Sequence, residues 1–354
     1  MPRWVGYPLP ALRQVYTAVN MGGSYSKPKE IQTRWFNDFS AKLPSLNGKT
    51  VVVTGCTTGT GFVLARTCAE KGATVFMLNR PSERADAAAT AVRETAATGA
   101  LVVPVDCDLT SCASVKAAAA SVRDKLGPDG SVDVLCCNAG VMALADVATT
   151  DGYDVQMQTN HLSHFLLTKE LFPLLERAAA KSGEARVVNH SSGARLLPPG
   201  KLSAKYLGKN GGSLGGNSAS MFFGGARWQR YHQTKLANAV FTHALAQKLS
   251  ACGSKVKAIV AAPGLAATNL QVTTHSDGGM GATWIMAFAQ SAEDGTMPLL
   301  HCCLAPEAAN GQLWEPAGIK GPPVLKKLEP ICTEERAVKM LWEESEKACG
   351  VWAL

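Results

Sequence analysis

The sequence has no apolar run near the ~18 residues that a membrane-spanning helix needs, and its opening residues, MPRWVGYPLPALRQVYTAVNMGG, lack the apolar core of a secretory signal. These absences argue against a spanning or secreted protein. No CxxC or HxxxH pair occurs, so no metal site is expected. Charged residues are scarce, 18% against 46% hydrophobic, which excludes the composition of a disordered chain. The formal net charge of +7 is concentrated in residues 1–50, where Arg3, Arg13, Lys27, Lys29, Arg34, Lys42 and Lys49 face only Glu30 and Asp38. Elsewhere the chain is near neutral, with no basic stripe interleaved with aromatics, and nucleic acid is not expected as a partner. The eleven cysteines are an odd number and sit mostly in apolar runs (Cys56, Cys68, Cys107, Cys136, Cys137, Cys302, Cys303). That pattern suits buried thiols in a reducing compartment, the cytoplasm, better than a disulfide framework.

From Lys49 onward, β-branched runs alternate with Ala-rich stretches, and no internal repeat is present. Strands are expected at Thr50–Thr54, Thr74–Leu78, Ala100–Asp106, Val132–Asn138, Ala185–Ser191 and Lys255–Ala262, with helices near 60–71, 83–98, 111–126, 151–180 and 229–252. This is the pattern of a doubly wound, Rossmann-type α/β fold, a parallel sheet between two helical layers, as a single domain. The domain is assigned to residues 48–310, between a basic extension (1–47) and a C-terminal extension (311–354). In the latter, Leu313–Pro330 reads as a Pro/Gly-rich connection and Thr333–Ala348 as a helix capped by Thr333; Glu293–Ala305 reads as an earlier helix. Residues 200–225 break the rhythm with eight glycines and no GK[ST]. They form either a substrate-side wall or an insertion without chemistry.

The first strand runs into Gly55-Cys-Thr57-Thr58-Gly59-Thr-Gly61 and a helix, where glycines let the backbone approach a pyrophosphate and the helix N-terminus offers unpaired N–H groups. At the end of the second strand an NAD site would usually carry an acid; here stand Asn79 and Arg80. A guanidinium can pair with a 2′-phosphate that a carboxylate would repel, so NADP(H) is favoured over NAD(H). Asp108 and Leu109 follow the third strand, where Asp108 could bond the adenine amino group.

Further along come Asn138-Ala139-Gly140, Thr159-Asn160-His161, Asn189-His190-Ser191-Ser192, Tyr231-His-Gln-Thr-Lys235 and Pro263-Gly264. In YxxxK, positions i and i+4 share a helix face, so the ammonium of Lys235 can approach the phenol of Tyr231 and lower its pKa toward the operating range. The phenol then serves as general acid or base. In this order, and with TGxxxGxG at the start, the motifs resemble those of the short-chain dehydrogenase/reductase family over residues 48–310. TNHLSHFLLT and YHQTKLAN are most similar to its retinol dehydrogenase and WW-domain oxidoreductase branch, and to protochlorophyllide reductase. The resemblance implies that Ser192, with Ser191 as competitor, holds the substrate oxygen, that Lys235 also binds the nicotinamide ribose, and that Asn160 holds a relay water. It further implies that Asn138, Ala139 and Gly140 line the cofactor, that Pro263, Gly264 and Thr268 meet its carboxamide end, and that the chain forms a homodimer or homotetramer through the helix bearing Tyr231.

The expected activity is NADP(H)-dependent interconversion of a lipophilic ketone or aldehyde with its alcohol. Two alternatives stand beside it: reduction of a ring double bond, as in protochlorophyllide reductase, and an NADP(H)-sensing scaffold without turnover. An apolar lining is expected from Met280, Trp284, Ile285, Met286 and Phe288 in a substrate loop over 265–290. His161, His164, His190 and His232 read as packing or surface residues, while Trp228 with Arg227 and Arg230 could border a substrate mouth. The chain departs from the family pattern in the 39-residue spacing from Ser192 to Tyr231 and in residues 1–47. The latter carry Trp4, Tyr7, Tyr16 and Tyr25 and are either an ordered arm or a plastid or mitochondrial targeting segment.

Overall fold

The β-branched runs become the strands of one sheet, and a computed structural model describes it through residues 31–218, 224–266 and 289–354. The N-terminal aromatics, Thr268 and the apolar residues expected at 280–288 lie outside the described residues. In chain order the elements are α1 (Phe36–Ala41), β1 (Thr50–Thr54), α2 (Gly59–Glu70), β2 (Thr74–Asn79), α3 (Glu83–Thr95), β3 (Leu101–Asp106), α4 (Cys112–Leu126) and β4 (Val134–Cys137). They continue with α5 (Ser163–Ser182), β5 (Ala185–His190), α6 (Ala226–Ala251), β6 (Val256–Ala261), α7 (Ala292–Leu304), β7 (Leu313–Pro316), β8 (Pro323–Lys326) and α8 (Glu335–Cys349). Among the described residues the sheet order is β3-β2-β1-β4-β5-β6-β7-β8. Every pair is parallel except the closing β7–β8 hairpin. Order reverses between β1 and β4, which opens a crevice at the carboxyl ends of the strands.

Alternating side chains feed two cores. Val52, Phe76, Leu78 and Val187 pack on the α4/α5/α6 side, and Val51, Val53, Val75, Met77 and Val188 on the α2/α3/α7 side. The helix starts obey local chemistry: the hydroxyls of Ser82 and Ser111 accept the N–H groups of Ala85 (3.2 Å) and Ser114 (3.3 Å). In residues 31–47, the Asp294 carboxylate takes the N–H groups of Arg34, Trp35 and Phe36 at 2.9, 3.0 and 3.0 Å, fixing α1 against the start of α7.

Two differences from the sequence reading lie near the C-terminus. Leu313–Pro316 and Pro323–Lys326 are strands, because Val260 and Ala261 of β6 still need a ladder partner on their outer side. The Thr333 hydroxyl caps no helix: it donates to Pro330 O within a separate turn at Pro330–Thr333, and α8 begins two residues on without a side-chain cap. Burial holds α8 instead. Trp342 stacks with Trp352 (5.5 Å between centroids) and meets Phe165 and Phe241, and Ser345 bonds His161 Nε2 at 2.9 Å. The outer side of α6 is therefore covered by the chain's own last helix.

Candidate active site

The glycine loop leaves β1 at the crevice. A Cβ on Gly61 would overlap Gly55 O and Asn138 Nδ2, so only glycine lets α2 start this close to β4. Thr58, at the N-cap of α2, makes no capping bond, and the first turn holds no acid. Its N–H groups, with Thr57, Thr58 and Gly59 partly exposed, thus form a cradle suited to an anion such as a dinucleotide pyrophosphate. At the end of β2, Asn79 is buried and accepts Cys56 N–H at 2.6 Å, bracing the loop, while Arg80 is exposed beside it. Asp108 closes its own turn by accepting from the N–H (2.9 Å) and hydroxyl (2.8 Å) of Thr110, and Leu109 is buried with its carbonyl taking Ser163 Oγ at 2.7 Å.

A buried polar chain joins this loop to the other half of the crevice. Asn138 Nδ2 donates to Thr54 O (2.9 Å) and Gly55 O (3.2 Å), and its Oδ1 accepts from Thr60 Oγ1 (2.9 Å). That oxygen only accepts, so the His190 Nδ1 at 3.1 Å carries a proton. Likewise His164 Nδ1 donates to Asn160 O at 3.0 Å, and because burial holds His164 to a pKa of about 4, its Nε2 is a lone pair. Thr54 donates to that lone pair (2.9 Å) and accepts the N–H groups of Asn138 (3.1 Å) and Ala139 (3.0 Å). His164 is therefore a fully bonded strut between β1 and α5. Sequence reasoning missed Thr54, whose one signal is a hydroxyl that closes the valine run VVV just before the loop.

Asn160 sits in a wide turn over Gln158–Leu162, where the hydrogen-bond spacing lengthens to five residues just before α5. Its side chain clamps Val141, accepting from N (2.7 Å) and donating to O (2.8 Å), and also donates to Thr234 Oγ1 (2.9 Å). A Cβ at Gly140 would lie 3.3 Å from Asn160 Oδ1 and 3.6 Å from Lys235 Nζ, so these three residues meet at one point. The two serines divide: Ser191 is fully buried and donates to Lys235 O at 2.7 Å, whereas Ser192 accepts from Ala194 N (3.2 Å) and its hydroxyl lies beside the phenol of Tyr231. Lys235 Nζ donates to His190 O at 3.1 Å and lies 5.8 Å from the Tyr231 ring centre.

The electrostatics differ from expectation. Burial pushes the Tyr231 pKa up to about 12, with the Ser192 bond pulling the other way, and lowers that of Lys235 to about 8. Spacing on the helix predicts a lowered phenol, but loss of solvation in the shared water-poor pocket dominates both groups. Burial thus favours the protonated phenol. Met142, Ala143 and Trp228 pack beside Tyr231 as a small apolar cluster with Ala194 at its edge, and Trp228 meets the Tyr231 ring edge-on at 6.1 Å. Arg230, expected at a mouth, is instead turned fully inward. Pro263 O accepts Gln290 Nε2 at 2.6 Å, and Gly264 lies against Ile319 O.

Among the described residues no helix is long and apolar enough to cross a membrane, and no three His, Cys, Asp or Glu side chains are grouped to hold a metal. Residues 49–207 match the family model described as short chain dehydrogenase. Retinol dehydrogenase 12 of Mus musculus is 34% identical over 260 residues, 73% of this chain and 74% of that protein. Retinol dehydrogenase 13 of Homo sapiens is 30% identical over 319 residues, 87% of each. A solved protein of Mycobacterium paratuberculosis superimposes with a TM-score of 0.68 at 31% identity, covering 89% of this chain and 98% of that one.

Proposed function

This chain belongs to the short-chain dehydrogenase family, and from that premise we propose that it interconverts a lipophilic ketone or aldehyde with its alcohol, using NADP(H) and Tyr231 as the proton-transferring residue. The observation that carries the reading is the meeting of Tyr231, Ser192 and Lys235 at the carboxyl ends of the strands, with Lys235 Nζ 5.8 Å from the Tyr231 ring centre and the Ser192 hydroxyl beside the phenol. Residues of the Gly55–Gly61 loop, Asn138, Gly140 and Lys235 would hold the dinucleotide, which supplies the hydride when bound. A carbonyl oxygen seated between Ser192 and Tyr231 accepts one hydrogen bond from each. As negative charge grows on that oxygen, the Tyr231 phenol gives up its proton to it. The buried Lys235 ammonium then stabilises the phenolate left behind. Asn160 keeps the Val141 backbone and Thr234 in register around this pair.

The preference for NADP(H) is supported by Arg80, a cation where an acid would oppose a 2′-phosphate. The apolar character of the substrate is supported by Met142, Ala143 and Trp228 beside the phenol, and by the retinol dehydrogenases among the relatives. The test is the rate of NADPH and NADH oxidation with aliphatic aldehydes, retinal and steroid ketones, for wild type and Tyr231→Phe. NADPH-preferring turnover that falls by roughly 10²–10⁴ in the variant is expected. Turnover unchanged by the substitution would overturn the role of Tyr231, and tight NADPH binding without turnover across the panel would overturn the carbonyl reading.

A further inference from the structure

The proposed reaction makes no use of a buried ion-pair cluster next to Tyr231. Arg230 has no exposed side-chain surface; its Nε lies 3.2 Å from Asp154 Oδ2 and its Nη1 3.6 Å from Asp146 Oδ2, and both acids are buried. Asp154 is fixed by capping the helical turn before Asn160, accepting the N–H groups of Gln156 (3.1 Å) and Met157 (2.9 Å). Asp146 does something different. Its Oδ1 accepts Gly212 N–H at 3.0 Å, and its Oδ2 accepts the N–H groups of Leu214 (2.7 Å) and Gly216 (2.9 Å), while its own N–H donates to Asn217 Oδ1 (2.6 Å). Three amides of the glycine-rich stretch converge on one carboxylate. Arg230 completes the knot, donating to Gly216 O (2.9 Å) and Leu144 O (3.0 Å).

The glycine content of this stretch follows from that geometry. Gly212 and Gly216 stand at φ +83° and +75°, the left-handed conformation that turns successive N–H groups onto one anion. The same segment grips α6 on both sides of Tyr231. Gln229 Nε2 donates to Gly224 O (2.6 Å), His232 Nδ1 to Pro198 O (3.0 Å), and Gln233 exchanges bonds with Lys201 O (2.7 Å) and Ser203 N (2.9 Å). Residues 229, 230, 232 and 233 are thus all bonded to the stretch between Ser192 and Tyr231 that lengthens this chain. Lifting that stretch away would break three hydrogen bonds to the Asp146 carboxylate and one from the Arg230 guanidinium.

We propose that Asp146 and Arg230 are positioning residues that clamp residues 211–217 onto the first turns of α6, making this segment a fixed wall of the substrate side and thereby a determinant of which carbonyl compound reaches Tyr231. The clamp stands on geometry alone; its kinetic consequence rests on the carbonyl reading above. Two arms separate them. Hydrogen exchange of peptides covering 205–218 is compared between wild type and Asp146→Asn, with Asn217→Ala as a milder variant at an exposed position should the first fail to fold. NADPH affinity and the kinetics of the carbonyl compound found in the panel are measured in parallel.

The expected result is exchange at Gly212, Leu214 and Gly216 at least roughly tenfold faster in the variant. NADPH affinity should change by less than about twofold, and kcat/KM for the carbonyl compound should fall roughly 10- to 100-fold, mainly through KM. Unchanged exchange overturns the clamp. Faster exchange with unchanged kcat/KM overturns the wall, and equal losses for NADPH and carbonyl compound reduce the pair to a structural role. A wild type that binds NADPH without turning over any panel member fails the carbonyl reading, while the exchange arm still decides the clamp.

Discussion

Lys235→Met should make the nucleotide-free protein more stable while removing its activity. The Lys235 ammonium is buried, donates to one carbonyl at 3.1 Å and, among the described residues, pairs with no carboxylate; burial lowers its pKa from 10.5 to about 8. That depression corresponds to about 3 kcal/mol of disfavour for the charged form in the folded protein. Losing the bond to His190 O offsets about 1 kcal/mol of the gain, so Met should stabilise by about 2 kcal/mol at pH 7, a rise of a few degrees in Tm for a chain of this size. The sign can be checked against pH. A basic group with a depressed folded pKa contributes stability that is fully present above 10.5 and is lost as pH falls through about 8. Wild type should therefore gain on the variant between pH 8 and about 10, and the difference between them should close. Urea midpoints at pH 7, 8, 9 and 10 without nucleotide measure this. A variant less stable than wild type at pH 7, or a difference that does not change with pH, would refute the reasoning.

His161 and His164, held by burial to pKa values of about 3 and about 4, contribute stability that is present above about 6.5 and lost as pH falls toward 4. The urea midpoint should drop between pH 6.5 and 4.5, and a flat midpoint would contradict their burial as neutral rings. Arg80→Glu should weaken NADPH roughly 10- to 100-fold and leave NADH within a few-fold, read as the ratio of the two KM values; an unchanged ratio would remove Arg80 from the 2′-phosphate. Trp342→Ala, which deletes a ring packed against Phe165, Phe241 and Trp352, should cost about 3–5 kcal/mol in denaturant unfolding. A cost under 1 kcal/mol would mean that α8 is not held by this cluster.

The fold was legible because its strands are continuous β-branched runs and its loops carry glycine where only glycine fits, as at Gly61. β7 and β8 escaped because four-residue strands containing proline read as connections, and their pairing depends on the edge of β6, more than fifty residues away. The candidate site residues stood out as motifs, but not the direction of their titration. Spacing on a helix brings Lys235 toward Tyr231, yet burial, which no local spacing reports, sets both pKa values. The inward turn of Arg230 was hidden for the same reason, since its partners Asp146 and Asp154 come from another stretch of chain.

The covering of α6 by α8 has a consequence for biosynthesis. Leu162 O meets Cys349 Sγ and His161 meets Ser345 across some 185 positions of sequence, so these contacts cannot form until residues 335–352 have been made. Until then Phe165 and Phe241 lack the Trp342 and Trp352 rings that cover them, leaving an apolar surface of the kind that chaperones hold and proteases sample. Packing of this core thus waits on the synthesis of residues 335–352, and stop codons upstream of Trp342 should yield chains that are degraded or aggregated rather than folded.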